Sequence, residues 1–151
     1  MTQQEVIDEN KALEESLEAK NAAFRDKVIG LSEHMKDVRG LPDLINVVYS
    51  ERQVTLEYYH VILQHLSKLN KEYKIEYAKQ YNFYKTRSDI RYNSDAAINA
   101  QISSVLSDFI YKIELLNNHA KYISETLKTI DDVIYGIQSR IRLEEILIGK
   151  A

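Results

Sequence analysis

Glu57 and His60 stand three residues apart, the Glu-x-x-His spacing by which helices present ligands to a di-iron centre. That chemistry needs a second such pair and two further carboxylates facing inward, and the chain holds one copy. His60 and His65 are five apart and so point to different faces of a helix, while His34 and His119 have no obvious carboxylate or histidine mate. No glycine-rich phosphate loop occurs, and no serine sits in a strand-turn-helix setting that makes it a nucleophile. The absence of cysteine removes thiolate ligands, a cysteine nucleophile and any disulfide framework. Glu14, Glu15, Asp131 and Asp132 read as solvated helix faces. These residues predict a non-enzymatic protein with no catalytic residue, no metal and no cofactor.

Binding chemistry is concentrated elsewhere. The stretch YKIEYAKQYNFYKTRSDIRY, Tyr73 to Tyr92, holds five of the eleven tyrosines interleaved with Lys74, Lys79, Lys85, Arg87 and Arg91. Tyrosine rings stack on any nucleobase and lysine or arginine neutralises phosphate, so the combination suits single-stranded nucleic acid without sequence preference. Tyr73, Tyr77, Tyr81 and Tyr84 also follow a three-and-four spacing, so packing against another helix competes with stacking for those rings. Tyr92 lies in the expected turn and escapes that alternative.

Charge supports a localised anionic partner. Residues 1 to 67 carry seven basic and twelve acidic side chains, residues 68 to 92 seven and three, and residues 93 to 151 six and eight, for a net charge of -3. A positive middle between negative arms suits one binding place better than a surface that coats polyanions everywhere. The polar, acid-rich start MTQQEVIDENKALEESLEAK lacks the basic-then-apolar order of a signal peptide, and no later run reaches membrane-spanning length. A cytoplasmic protein with no membrane partner is the expectation.

The elements that must position these groups are helices. One proline, Pro42, and four glycines leave little to punctuate strands, so the predicted class is all-α, with long coiled-coil-like helices forming a hairpin that assembles into an oligomer. RGLPDL marks a break, with Gly40 suited to a left-handed helix end and Pro42 to the first turn of the next helix. The first helical segment is expected to end near Val38. Asn93, Ser94 and Asp95 offer capping oxygens ahead of a last helix. From Ile102 to Ile141, twelve apolar residues alternate by fours and threes, a coiled-coil seam about 60 Å long at 1.5 Å per residue. Ile113, Leu116, Ile123, Leu127, Ile130, Ile134, Ile137 and Ile141 of that seam are the expected oligomerisation positions. Gly136 inside it suggests a close helix approach. The organisation predicted is an acidic N-terminal helical segment, 1–40, and a long helical hairpin, 41–151, with the basic, tyrosine-rich region at 68–92.

Three stretches resemble the UvsY family of tailed-phage recombination mediators. YKTRSD, Tyr84 to Asp89, is similar to a family Lys-x-Arg motif in a helical segment leading into a turn, and Lys85 and Arg87 are the matching positions. NSDAAI resembles the aspartate-bearing start of the family's C-terminal helix, and Tyr122 to Gly149 resembles its periodic apolar tail. The likeness covers roughly residues 68 to 149; the aromatic, glycine-containing continuation after the motif is missing here. The resemblance implies a phage-encoded DNA recombination and repair protein, in the host cytoplasm. It implies a ring of several subunits that binds single-stranded DNA and helps a RecA-like recombinase displace the single-strand-binding protein. Lys74, Lys79, Tyr84, Lys85, Arg87, Arg91 and Tyr92 are the DNA-binding candidates. The rival expectation is a structural or scaffolding coiled coil whose basic band pairs with the acidic N-terminal segment of a neighbour.

Overall fold

The computed structural model describes residues 2–87 and 94–149, excepting the side chain of residue 3. Helix α1 spans Gln3–His34, α2 Leu41–Thr86, α3 Asp95–Val105 and α4 Ser107–Gly149; a single 3-10 turn, Val38–Gly40, joins α1 to α2. No strand occurs among the described residues. The class is all-helical, as composition predicts, with the short α3 as an additional element.

Contacts gather the chain into two compact units, Met1–Leu17 with Ile62–Asn118, and Glu18–Val61 with His119–Ala151. In the second unit the sequence signals at the α1–α2 connection act locally. The Asp37 carboxylate accepts from the Arg39 backbone N–H at 3.1 Å, turning the chain, and Leu41 starts α2 with its side chain fully buried. Pro42 is the second residue of α2, where its missing N–H removes no helical bond. Gly40 corrects the expectation of a left-handed helix end: no glycine among the described residues has a positive φ, because a 3-10 turn fills this position. The core beneath is Leu31 of α1, Leu41 and Val48 of α2, and Ile130, Ile134 and Ile137 of α4. Each such side chain contributes about 1.5–3 kcal/mol on leaving water. Gly136 does permit a close approach: a Cβ there stands 2.9 Å from the Met35 methyl. Arg52 donates to Asp131 at 2.5 and 3.3 Å, and Arg140 donates to the Met35 carbonyl at 2.5 Å, tying α4 to both neighbours.

In the first unit the predicted last helix is split. Leu106 lies outside helical geometry, at φ -95 and ψ 14, and separates α3 from α4. Its N–H still reaches the Ile102 carbonyl at 2.8 Å, and its own carbonyl receives Ile110 N–H at 2.9 Å. The apolar spacing therefore passes through the break unaltered, which is why periodicity alone does not reveal it. Ser94 caps α3, its hydroxyl accepting from Ala97 N–H at 3.2 Å, in the place the capping residues predicted. Ile98, Ile102 and Leu106 form a small buried cluster against Tyr73, Tyr77, Tyr81 and Tyr84 of α2 and Phe109 of α4.

The stripe expected to hold an oligomer is packed within the chain. Leu116, Ile123, Leu127, Ile130, Ile134 and Ile137 are all at or below 8 % exposed within the single chain, and Ile113 and Ile141 are half-buried. Helices of the same chain already cover the stripe, so at these positions the heptads serve intrachain packing. Sequence periodicity reports that a stripe must be covered but not by which chain.

Candidate nucleic-acid interface

The second half of α2 carries the basic band and distributes it over two flanks on either side of the tyrosine row. At 100° per residue, Lys71, Lys74 and Lys85 follow one another at spacings of three and eleven and share one flank; Lys79, Phe83 and Arg87, four apart, share the other. Lys85 and Arg87, the two positions of the Lys-x-Arg element, are thus turned away from each other.

The tyrosine row is mostly committed to packing. Tyr73, Tyr77, Tyr81 and Tyr84 are half-buried against the α3 cluster, with Tyr73 stacked at a tilt on Tyr77 and Phe109 at 6.0 and 5.9 Å. Two of the phenols are bonded to α3: Tyr77 donates to Asn99 Oδ1 at 2.5 Å and Tyr81 to Asp95 Oδ1 at 2.9 Å. Lys85 is drawn into the same polar group. Its ammonium donates to the Tyr81 hydroxyl at 3.1 Å, lies 5.2 Å from the Tyr81 ring centre, and stands 3.6 Å from Asp95 Oδ1. Its pKa is raised by the hydrogen bond to Tyr81 and by the Asp95 charge.

On the other flank an aromatic ring is exposed. Phe83 is 48 % accessible and meets Tyr84 edge-on at 5.2 Å between ring centres. Lys79 lies one turn before it and Arg87 one turn after. The bond from Arg87 N–H to the Phe83 carbonyl, 2.9 Å, carries the helical ladder one residue past the end of α2 and holds Arg87 in that register. Lys79 forms a loose pair with Glu76 at 3.4 Å, whose carboxyl is held below its usual range chiefly by the Gln80 amide at 3.0 Å. Arg87 has no ion pair among the described residues. Lys74 likewise has none; with Lys71, Ser67, Asn70, Ile75 and Ala78 it lines an open, shallow groove along α2.

Of the seven candidates, Lys79 and Arg87 are brought together, Lys74 and Lys85 lie on the opposite flank, and Tyr84 touches Phe83. Arg91 and Tyr92 lie outside the described residues. Phe83 lies off the tyrosine spacing and so is not among the sequence candidates; its signal is the four-residue interval from Lys79 and to Arg87. Lys71 was missed too, although it repeats the Lys74 flank one turn earlier. Glu57 and His60 are exposed, with Glu57 accepting from Gln53 at 3.1 Å, and no cluster of three or more metal-ligating side chains occurs among the described residues.

The fold and the band together define an all-helical protein with an exposed cation-aromatic-cation ladder at one helix end. Comparison with known proteins adds no relative: no family profile matches the chain, and neither the curated proteins nor the solved structures yield a match. Among the described residues no helix is long and apolar enough to cross a membrane.

Proposed function

We propose that this chain binds single-stranded DNA and acts, without enzymatic activity, as a recombination mediator that helps load a RecA-like recombinase in place of single-strand-binding protein. One observation carries the binding step: the exposed Phe83 ring sits between Lys79 and Arg87 at one-turn intervals. A base stacking on Phe83 leaves its flanking phosphates within reach of both cations. Stacking contributes about 1–3 kcal/mol per base and each neutralised phosphate a salt slope of about -0.7. A single patch of this size is weak, and its repetition in a homo-oligomer makes successive contacts intramolecular. The mediator role rests on the UvsY resemblance at Lys85 and Arg87.

The test is fluorescence anisotropy of a labelled oligothymidylate titrated with the full chain at several salt concentrations. Phe83→Ala with Arg87→Ala lowers affinity at least tenfold while helicity stays constant. Unchanged affinity removes the site from consideration.

A specific observation favours the scaffolding reading as the second. Lys85 is paired with Asp95 and the four tyrosine rings of the row pack on the α3 cluster, which is what a purely structural band does. On that reading the chain shows no salt-dependent affinity for any single strand.

A further inference from the structure

We infer that the α1–α2 face of the unit formed by Glu18–Val61 and His119–Ala151 is a docking surface for a second copy of this chain, related by a two-fold axis running along the helices. The surface is a groove with an apolar floor, lined by Ala23 and Phe24 of α1 and Val54 and Tyr58 of α2, with Lys20 and Lys27 on its rim. α1 and α2 run antiparallel here, since Phe24 meets Tyr58 at 5.5 Å and Lys27 meets Glu51 at 2.7 Å. Both walls repeat every seven residues. Val47 and Val54 stand out from α2 at 51 % and 57 % exposure, large apolar side chains with one face in solvent. Opposite them α1 offers Ala23 and, one heptad on, Gly30, where an added Cβ meets nothing within 4 Å. One wall has knobs and the other has holes at matching intervals.

Charge selects the occupant and its orientation. The α1 wall carries Lys20 and the α2 wall the exposed Glu57, while Lys27 and Glu51 are already paired within the chain. The contacts of Lys27 with Glu51 and of Lys20 with the Tyr58 ring, 4.7 Å, fix the levels of the two walls. A two-fold axis along the helices lays α1 of each copy on α2 of the other at unchanged height. Lys20 then faces Glu57, Val54 faces Ala23 and Val47 faces Gly30, each contact occurring twice as an isologous interface demands. An axis across the helices stacks α1 on α1 and sets lysine against lysine. This surface shares no residue with the Lys79–Phe83–Arg87 ladder, and the inference does not depend on the nucleic-acid reading.

The experiment uses the full chain, whose lack of cysteine allows single thiols to be placed at will. Chains carrying Ala23→Cys are mixed with chains carrying Val54→Cys and treated with a short bismaleimide, while particle mass is measured by sedimentation equilibrium. The mixture is expected to cross-link between the two kinds of chain, with at least fivefold higher yield than Ala23→Cys alone. Lys20→Glu is expected to weaken association at least tenfold, and Lys20→Glu with Glu57→Lys to restore it. A mass that stays monomeric at all concentrations, equal self-cross-linking of Ala23→Cys, or failure of the double charge swap to restore association each overturns the proposal. A monomer whose groove takes up a different protein overturns it equally.

Discussion

The phenol of Tyr58 donates to Nε2 of His119 across 2.8 Å, and the other imidazole nitrogen, Nδ1, donates to Asn21 Oδ1 at 2.7 Å. His119 is 2 % exposed; Asn21 Oδ1 can only accept, so Nδ1 carries a proton, and in the neutral ring that burial favours Nε2 is the acceptor for Tyr58. Tyr122 completes the group by donating to the Asn21 carbonyl at 3.0 Å. Burial pushes the His119 pKa down from its ordinary value, and the Lys20 charge adds to the effect.

The sign of the pH dependence follows. Between the depressed native pKa and the ordinary value of about 6.5, the unfolded chain holds a proton at His119 that the native chain does not. Stability from this site is therefore fully present above pH of about 6.5 and declines as pH falls through the window below it. The midpoint of urea unfolding is expected to drop between pH 7.5 and 5.5, and to drop less steeply in His119→Asn. Parallel profiles for the two proteins contradict the assignment.

Lys85 and Arg87 are expected to differ as DNA contacts. Lys85 is held by Tyr81 and Asp95, and any phosphate must compete with that carboxylate. Arg87→Ala should flatten the plot of log affinity against log salt by about 0.7, the contribution of one single-strand phosphate, while Lys85→Ala should change it by less. Asp95→Asn frees the ammonium and should raise affinity. The three slopes, measured on one oligothymidylate, decide it.

Gly136 gives a steric prediction. Gly136→Leu drives side-chain atoms into the space held by the Met35 methyl and should lower the thermal midpoint by several degrees, an overpacking cost of about 1–3 kcal/mol. Met35→Ala combined with it should recover part of the loss, since the clash is with the far end of one flexible side chain. Additive losses in the double variant contradict this account.

Ser94 is the only described polar group that closes the N-terminus of α3 through its side chain. Ser94→Ala should cost about 1 kcal/mol, and Ser94→Asp should be close to neutral. Because α3 packs on the tyrosine row, the loss should appear as faster amide exchange at Ile98 and Ile102 before it appears globally.

Helix class, a break at RGLPDL, the Ser94 cap and the close approach at Gly136 are legible because each depends on local chemistry within a few residues, although α1 ends at His34 and not near Val38. What periodicity could not supply was the identity of the covering surface. Ile123, Ile130 and Ile137 carry the same spacing whether a sister chain or α1 and α2 of the same chain cover them. The split at Leu106 was hidden for a related reason: the side chain stays on the apolar face while the backbone departs from the helix. Within the site, the positive charge was visible and its division over two flanks followed from helix geometry. The capture of Lys85 by Asp95 depended on how α3 returns along α2.

The phenols of Tyr77 and Tyr81 find their acceptors on Asn99 and Asp95, one turn apart on each helix and running in opposite directions. Phenylalanine at both positions could bury as much ring and still tolerate sliding of α3 by a turn. The hydroxyls act as the teeth of a ratchet: a slip in either direction strands both at once, so the stagger of this short helix is set by polarity where its affinity for α2 is set by grease.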